Sequence, residues 1–268
     1  MNGFMQSSVG WPVIGIPSGN AYRVSDDCVD MRRPQRPTNT TRLPALPQSL
    51  ILDRGRTALI VIDMVNDFCA PDGWIASMGV DVGPARALAE PINRAADALR
   101  AAGAPVIWVN WGVRPDRLNL SPGTQHPFNP NGRGPGLAGE QAGAARTHKV
   151  LTAGSWGSEI IDTLTQRPED IHVDKHRISG FWDTPLDAIL RNLGVTTLFF
   201  AGVNADHCVL GTLMDANFHG YDTVMLEDCV ATTSPDFCLQ ATFHNVRFCF
   251  GFTTTSADLA ASFAAAEA

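Results

Sequence analysis

The feature that most constrains the fold is a series of short apolar runs separated by stretches of helical periodicity. The run Thr57–Ile62 (TALIVI) is typical of a strand that is buried on both faces of a parallel sheet. Similar strands are predicted near 105–110, 171–174, 198–201, 223–226 and 246–250. Helices are predicted at 83–103, 157–164, 184–194, 208–220, 235–245 and 256–266. This alternation predicts an α/β domain over residues 55–268, with a mostly parallel sheet of about six strands and helices on both faces.

Two segments lack this periodicity. Residues 1–54 are rich in Pro, Arg, Asn and Ser, which predicts an extended N-terminal arm. The arm wraps the domain or a neighbouring subunit, covers the site, or has no part in chemistry; the sequence leaves these alternatives open. Residues 112–155 are rich in Gly and Pro, and we expect either a loop that builds specificity over the ligand edge or a disordered insertion.

Composition excludes several classes of function. The net charge of -7, without a clustered Lys/Arg stripe, is unlike that of a nucleic-acid-binding protein. No apolar run approaches the roughly 20 residues of a membrane span, and the first residues do not resemble a signal peptide. The six cysteines form no CxxC pair, so we expect reduced thiols in a cytoplasmic protein. The sequence contains no phosphate loop and no dinucleotide fingerprint, and its seven histidines lack metal-ligand spacing, so no cofactor or metal is expected.

Three chemically active side chains follow predicted strands. Asp63 comes directly after the first strand, Lys175 after the strand at 171–174, and Cys208 in the first turn of the helix that follows 198–201. Parallel strands bring such ends to one edge of the sheet, where ligands bind. The helix terminus and the Lys175 ammonium favour a thiolate, and Asp63 can accept the thiol proton. The alternative is a small buried cysteine beside ordinary ion-pairing groups.

Three blocks of the sequence resemble the cysteine hydrolases of the isochorismatase-like superfamily. They are ALIVIDMVNDF, DKHRISGFWDTPLDAILRNLG and LFFAGVNADHCVLGTLMDANFHGYDTVMLEDCVA, within residues 57 to about 262. The resemblance implies a three-layer α/β/α fold, an Asp63–Lys175–Cys208 triad and a covalent acyl-thioester intermediate. It also implies a cis peptide bond at Val203–Asn204, an oxyanion hole built from the backbone N–H groups of Asn204 and Cys208, and a homo-oligomer, either a dimer or a tetramer.

Within this superfamily, SGFWDTPLDAILRNLG and RFCFGFTTTSADL are most similar to amidohydrolases of ureides, which include ureidoacrylate, biuret, triuret, guanylurea and N-carbamoyl-amine hydrolases. The expected substrate is therefore a small urea derivative. Ile178, where ureidoacrylate hydrolases carry Tyr, and the arrangement around Asn110 differ from the ureidoacrylate pattern. Asp206 favours a neutral or cationic ureide such as biuret or guanylurea, although a helix cap is its more ordinary role.

Two other functions fit the same fold. A vinyl-ether hydrolase of the isochorismatase type is disfavoured by Cys208, and a catalytically idle binding protein is disfavoured by the presence of all three polar residues. Nicotinamidase-type relatives carry an Asp-x-His-x-x-His metal pattern, and the corresponding NWGVRPDRLN has no His. Besides the triad, substrate contacts are predicted for a further group of residues. They are Phe68, Asn110, Trp111, Trp156, Ile178, Phe181, Asp206 and His207. Core packing explains Trp156 and Phe181 equally well, and packing or capping is the more ordinary role of Asp206 and His207.

Overall fold

The computed structural model describes residues 8–33, 37–143 and 146–264, so parts of the predicted arm, loop and last helix lie outside it. The arm contains short strands, which its lack of periodicity did not predict. They are β1 (Val13–Gly15), β2 (Ala21–Val24), β3 (Val29–Asp30), β4 (Thr40–Leu43) and β5 (Leu50–Asp53). Strands β4 and β5 form an antiparallel hairpin that packs on the body of the protein. The Thr41 hydroxyl donates to the Ser262 carbonyl at 2.7 Å, and Leu43 is fully buried.

The strands after the arm build the centre of the molecule. They are β6 (Thr57–Ile62), β7 (Val106–Trp111), β8 (Glu140–Ala142), β9 (Thr147–Lys149), β10 (Ile171–Lys175), β11 (Thr197–Val203), β12 (Asp222–Ala231) and β13 (Phe252–Thr254). Strands β8 and β9 form a separate hairpin. The other six form one sheet in the order β10-β7-β6-β11-β12-β13, and every neighbouring pair is parallel. The prediction of a parallel sheet of about six strands is confirmed.

Helices cover both faces of this sheet. They are α1 (Asn66–Cys69), α2 (Trp74–Ser77), α3 (Gly83–Ala87), α4 (Ala89–Ala101), α5 (Pro122–Gln125), α6 (Leu186–Leu193), α7 (Leu210–Phe218), α8 (Asp236–Asn245) and α9 (Ser256–Ala264). Alternate residues of β6 point into two cores, because side chains alternate along a strand. Leu59 and Val61 pack with α4 and α9, whereas Ile60 and Ile62 pack with α6 and α7. The result is the predicted three-layer α/β/α architecture.

Three predicted elements are wrong in detail. The helix expected at 83–103 is divided at Leu88 into α3 and α4. The helix expected at 157–164 is a single 3-10 turn, Trp156–Ser158. The strand expected at 246–250 is a π-helical turn, Val246–Phe250, that continues α8, and the last strand begins two residues later. A short apolar run does not distinguish a strand from a buried helical turn, which explains the last error.

The carboxyl ends of the parallel strands meet at one edge of the sheet. Strand β6 ends directly before Asp63, β10 ends at Lys175, and β11 ends directly before Asn204. Gly202 has a φ of 110°, and a Cβ there would lie 2.0 Å from the Ile62 carbonyl oxygen, so only glycine lets β11 approach β6 so closely. Within the described ranges, no helix is long and apolar enough to cross a membrane.

Candidate active site

Lys175 lies at the centre of a buried polar cluster at this edge. Its Nζ atom is 2.9 Å from Asp63 Oδ2, 3.4 Å from Cys208 Sγ and 3.1 Å from the Arg177 carbonyl oxygen. One ammonium group thus lies among a carboxylate with which it forms an ion pair, a thiol and a backbone carbonyl to which it donates hydrogen bonds. Asp63 and Lys175 are fully buried, and Cys208 is 6% exposed. The structure therefore brings together the three residues that the sequence places at separate strand ends.

Asp63 is held from a second side by strand β7. The Trp111 backbone N–H donates to Asp63 Oδ1 at 2.9 Å, and the Asp63 N–H donates to the Val109 carbonyl at 3.1 Å. Asp63 has a φ of 54°, a left-handed conformation that is uncommon for a residue other than glycine. The chain leaves β6 in this conformation, and the two carboxylate oxygens face different partners, the Trp111 amide and the Lys175 ammonium.

Trp111 also contacts Lys175 through its ring. The Lys175 Nζ lies 4.3 Å from the centre of the Trp111 indole, within the range of a cation–π interaction. Trp111 is fully buried, and among the described residues its indole Nε1 has no hydrogen-bond partner. One residue thus touches the carboxylate through its backbone and the ammonium through its side chain.

Cys208 lies in a π-helical turn, Ala205–Val209, between β11 and α7. The prediction that it lies in the first turn of an α-helix is therefore wrong in detail, because α7 begins only at Leu210. The Asn204 carbonyl accepts the N–H groups of His207 and Val209, both at 3.1 Å. The Val203–Asn204 peptide bond is cis, as the resemblance implies. That the N–H groups of Asn204 and Cys208 form an oxyanion hole remains a prediction.

Burial dominates the ionisation of the cluster. Burial raises the pKa of the Cys208 thiol to about 12, although the Lys175 ammonium acts in the opposite direction. Burial also raises the pKa of Asp63, again against the effect of Lys175. A carboxylate, an ammonium and a neutral thiol carry no net charge, whereas a thiolate beside an ionised carboxylate leaves a buried negative charge. Burial therefore opposes the resting thiolate that the sequence suggests and favours a resting thiol.

Asn110 faces away from the cluster. In the register of β7 and β10, Asn110 pairs with Asp174 and Trp111 with Lys175, and successive side chains of a strand point to opposite faces. Asn110 lines a cavity of about 360 Å³ on the other face, together with Asp174 and His172. The structure therefore does not bring Asn110 to Cys208, although it lies next to Trp111 in the chain.

Ile178 and Phe181 lie beyond Lys175 and differ in exposure. Ile178 is 44% exposed and lines a cavity of about 520 Å³ with the apolar side chains of Trp182 and Phe218. Arg177, whose carbonyl accepts from Lys175, lines the same cavity, which therefore borders the cluster. Cys208 itself does not line it. Phe181 is buried and stacks on His219 with ring centres 5.2 Å apart, a packing role.

Two predicted contacts lie in the turn that holds Cys208. Asp206 lies within the π-helical turn, whose N-cap residue is Asn204, and its Oδ1 accepts the Thr232 hydroxyl at 2.5 Å. Although burial opposes it, the hydrogen bond from Thr232 holds the pKa of Asp206 below its usual value. His207 is exposed, with its Nε2 3.4 Å from Asp206 Oδ2. Asp206 is therefore bound to the residue that directly follows β12, whereas His207 faces solvent.

Phe68 and Trp156 surround the turn that follows β6. Phe68 is half-buried and lines a small cavity together with Asn204. The Trp156 carbonyl accepts the Asn66 side-chain amide at 2.9 Å, and its ring packs edge-on against His148 with centres 5.0 Å apart. Both residues lie in segments adjoining the site, and their contacts fix the loop.

The sequence reasoning missed a second buried pair, Asp67 with His148. Asp67 is fully buried, and its Oδ1 lies 2.6 Å from His148 Nε2. Asp67 also accepts the backbone N–H groups of Trp74 and Leu151, at 3.1 and 2.7 Å. This carboxylate ties the long loop to the turn that carries Asp63. An acid amid the apolar residues of MVNDFC was the available signal. In the described part of the chain, no group of three or more His, Cys, Asp or Glu side chains could hold a metal ion.

Comparison with known proteins adds to this geometry. Residues 57–258 match the family model of the isochorismatase domain. The ureidoacrylate amidohydrolase RutB of Rhizobium rhizogenes is 34% identical over 235 residues, which cover 85% of this chain and 92% of that protein. A cysteine hydrolase structure from Pseudomonas syringae pv. phaseolicola has a TM-score of 0.66 and 26% identity, covering 85% of this chain and 98% of its own. The N-carbamoylsarcosine amidase structure from Thermoplasma acidophilum has a TM-score of 0.56 and 28% identity, covering 75% and 96%.

Proposed function

The chain belongs to the isochorismatase family, and on that premise we propose that it is a cysteine amidohydrolase that cleaves a C–N bond of a small urea derivative. The observation that carries the proposal is the Lys175 ammonium, which contacts both the Asp63 carboxylate and the Cys208 sulfur in a buried cluster. The substrate class rests on relatives: RutB is named for ureidoacrylate and the Thermoplasma acidophilum amidase for N-carbamoylsarcosine, both of which contain a urea-like carbonyl.

The first step forms a bond between Cys208 Sγ and the carbonyl carbon of the substrate. The thiol proton passes to Asp63, and the electron pair of the C=O double bond moves onto oxygen. Because the pKa of Asp63 is raised by burial, Asp63 is a stronger base than an ordinary aspartate. The cluster carries no extra charge during this transfer, since one anion replaces another beside Lys175. The backbone N–H groups of Asn204 and Cys208 stabilise the oxyanion.

The second step expels the leaving nitrogen. The oxyanion re-forms the C=O bond, the C–N bond breaks, and Asp63 returns its proton to the nitrogen, which leaves as ammonia or an amine. An acyl thioester remains on Cys208. Water then attacks this thioester while Asp63 takes a proton from the water. The C–S bond breaks, and the sulfur recovers that proton, so that the thiol and the carboxylate are restored.

Lys175 stabilises whichever group carries the negative charge. It lies within 3.4 Å of the sulfur and 2.9 Å of the carboxylate, so it need not move when the charge passes from Asp63 to Cys208. The Arg177 carbonyl accepts a hydrogen bond from the ammonium and fixes its direction. A fixed ammonium costs little reorganisation during the reaction, which is the condition for effective electrostatic catalysis.

The proposal extends to location and assembly. All six cysteines are free thiols, which is usual in a reducing compartment and supports a cytoplasmic location. We propose a homo-oligomer, a dimer or a tetramer, and light scattering of the full chain measures its mass in solution. Biuret, guanylurea and ureidoacrylate are the proposed substrates.

The test is an ammonia-release assay with biuret, guanylurea, triuret, ureidoacrylate, N-carbamoylsarcosine and nicotinamide. We expect turnover of at least one ureide and none of nicotinamide. Cys208→Ser should lose that turnover, whereas the exposed Cys249→Ser should keep it. The proposal fails if no ureide is cleaved, or if Cys208→Ser retains wild-type activity.

A further inference from the structure

Trp111 contacts the cluster at two separate points. Its backbone N–H donates to Asp63 Oδ1 at 2.9 Å, and its ring lies 4.3 Å from Lys175 Nζ. These contacts use different parts of the residue, so a side-chain substitution leaves the backbone bond available. Two charged side chains, Lys175 and Asp63, affect the pKa of Cys208, whereas the Trp111 side chain is uncharged. Trp111 is therefore the neutral member of a four-residue arrangement.

Within the ranges that the structure describes, the Trp111 indole N–H is a buried donor without an acceptor. Such a group is unfavourable in a protein interior, where nearly every polar atom has a partner. The indole lies beside the reacting sulfur, because its ring is 4.3 Å from the same Lys175 Nζ that contacts Cys208 Sγ at 3.4 Å. Burial raises the pKa of the Cys208 thiol, and Trp111 acts in the opposite direction, toward the ionised sulfur. A neutral thiol is a weak acceptor, whereas a thiolate is a strong one. The indole N–H thus gains a good partner only when Cys208 has given up its proton.

A second tryptophan of strand β7 has an indole N–H with a hydrogen-bond acceptor. Trp108 is equally buried, and its Nε1 donates to Asp170 Oδ2 at 2.9 Å. Strand β7 therefore satisfies one indole N–H fully and leaves the other unpaired beside the reacting cluster. The difference lies at the carboxyl edge, where a transient anion forms.

We infer that Trp111 is a positioning residue for the Cys208 reaction: its ring holds the Lys175 ammonium, and its indole N–H stabilises the sulfur anion that forms when the thiol proton passes to Asp63. This inference rests on the proposed function, and it adds a fourth residue to the three that the family resemblance implies. It assigns the two halves of the side chain different tasks, which separate substitutions can distinguish.

The test compares substitutions at Trp111. Trp111→Phe keeps an aromatic face for Lys175 and removes the N–H, whereas Trp111→Leu removes both. Replacing Trp111 with benzothienylalanine, a tryptophan isostere in which sulfur replaces the N–H, covers the case in which Phe fails to fold. The readouts are the pH profile of Cys208 alkylation by iodoacetamide, assigned by peptide mapping, and kcat and KM for the best ureide. Trp108→Phe is the matched control.

We expect Trp111→Phe and the isostere to move the alkylation profile upward by about one pH unit, because a hydrogen bond to a charged group is lost. They should lower kcat about tenfold with little change in KM. Trp111→Leu should show larger effects, and Trp108→Phe neither. A wild-type profile and kcat in both N–H-deficient proteins, or an equal shift in Trp108→Phe, would overturn the inference. Alkylation needs no turnover, so it separates the two failures. A shifted profile without ureide cleavage would refute the proposed function and, with it, the catalytic part of the inference, whereas ureide cleavage with an unshifted profile would refute the inference alone.

Discussion

Two buried ion pairs lie at opposite ends of strand β10, and they are built differently. At the amino end, Arg100 donates to Asp170 from Nε at 3.0 Å and from Nη2 at 2.6 Å, and Trp108 adds a third donor. At the carboxyl end, Lys175 meets Asp63 at 2.9 Å, with a thiol beside it and an indole N–H that has no acceptor in the described part of the chain. The first pair is saturated with donors, whereas the second leaves groups that can react.

The ionisation of the two carboxylates follows from this difference. Although burial opposes it, the hydrogen bonds from Arg100 and Trp108 lower the pKa of Asp170, so this carboxylate stays ionised. Burial raises the pKa of Asp63, because the stabilisation of the carboxylate by Lys175 and the Trp111 backbone N–H is smaller than the cost of removing the carboxylate from water. Asp170 is therefore a structural anion, and Asp63 is suited to accept a proton. In this protein, the buried carboxylate with fewer hydrogen-bond donors, Asp63, is the one that can take part in a reaction.

The largest effect expected is from Cys208→Ser. A hydroxyl is a much weaker nucleophile than a thiolate, so ammonia release should fall by a factor on the order of 10⁴ or more. The thermal midpoint should stay close to that of the wild type, because serine nearly preserves the volume and Lys175 keeps Asp63 as its partner. A thermal melt and the ammonia assay measure the two quantities. A large fall in stability would mean that Cys208 is a core residue. The carboxyl end of β10 would then be structural, like the amino end.

The next effect separates the two cations. Arg100→Met leaves Asp170 buried without its partner and should cost about 3–5 kcal/mol of unfolding free energy, because breaking a buried pair strands a charge. The folded fraction should keep the wild-type kcat. Lys175→Met should instead remove turnover even where the protein remains folded. Denaturant titration and kcat per folded molecule are the measurements. Loss of kcat in folded Arg100→Met would contradict the division between a structural and a reactive end.

Activity and stability should respond differently to a fall in pH. Asp63 must be ionised to accept the thiol proton, and its pKa is raised, so kcat/KM should fall with decreasing pH at a pKa above the usual 3.8. Asp170 has a lowered pKa, so its contribution to stability is present above its unfolded pKa and is lost only as pH falls through the lower folded value. On acidification, activity should therefore disappear before the fold. An acid limb at or below 3.8 would break this ordering.

The smallest effect expected is from Trp108→Phe. The substitution removes one hydrogen bond to the ionised Asp170 and should cost about 1–3 kcal/mol of unfolding free energy. The reaction does not use this indole, so kcat and KM should stay at their wild-type values. Denaturant titration alongside steady-state kinetics checks both. A changed kcat would show that the ion pair at the amino end of β10 affects the reaction at its carboxyl end.

The sequence predicted what depends on strand order and charge. Continuous apolar runs identified the parallel strands, and parallel strands must end at a common edge, so Asp63, Lys175 and Cys208 were expected near each other. For residues at the strand ends, the sequence does not show which face of the sheet each side chain lies on. Asn110 and Trp111 are adjacent, and only the register with β10 shows that one faces Asp174 and the other Lys175.

Other features depend on burial and on backbone geometry, which the sequence does not specify. The Cys208 thiol was expected to be ionised because a helix terminus and an ammonium lie near it. The structure places it in a π-helical turn and encloses it, and the cost of desolvation exceeds the effect of Lys175. The Arg177 carbonyl was missed because a backbone acceptor leaves no trace in residue type.

In the proposed mechanism, Cys208 carries an acyl group during turnover. The most direct test is to mix the enzyme with its fastest ureide, quench with acid from milliseconds to steady state, and map the peptides by mass spectrometry. We predict that the mass of the acyl fragment will appear on the peptide containing Cys208 in the wild type and in Cys249→Ser, and will be absent from Cys208→Ser. Ammonia release at the full rate with no acyl group on Cys208 at any time would contradict the account.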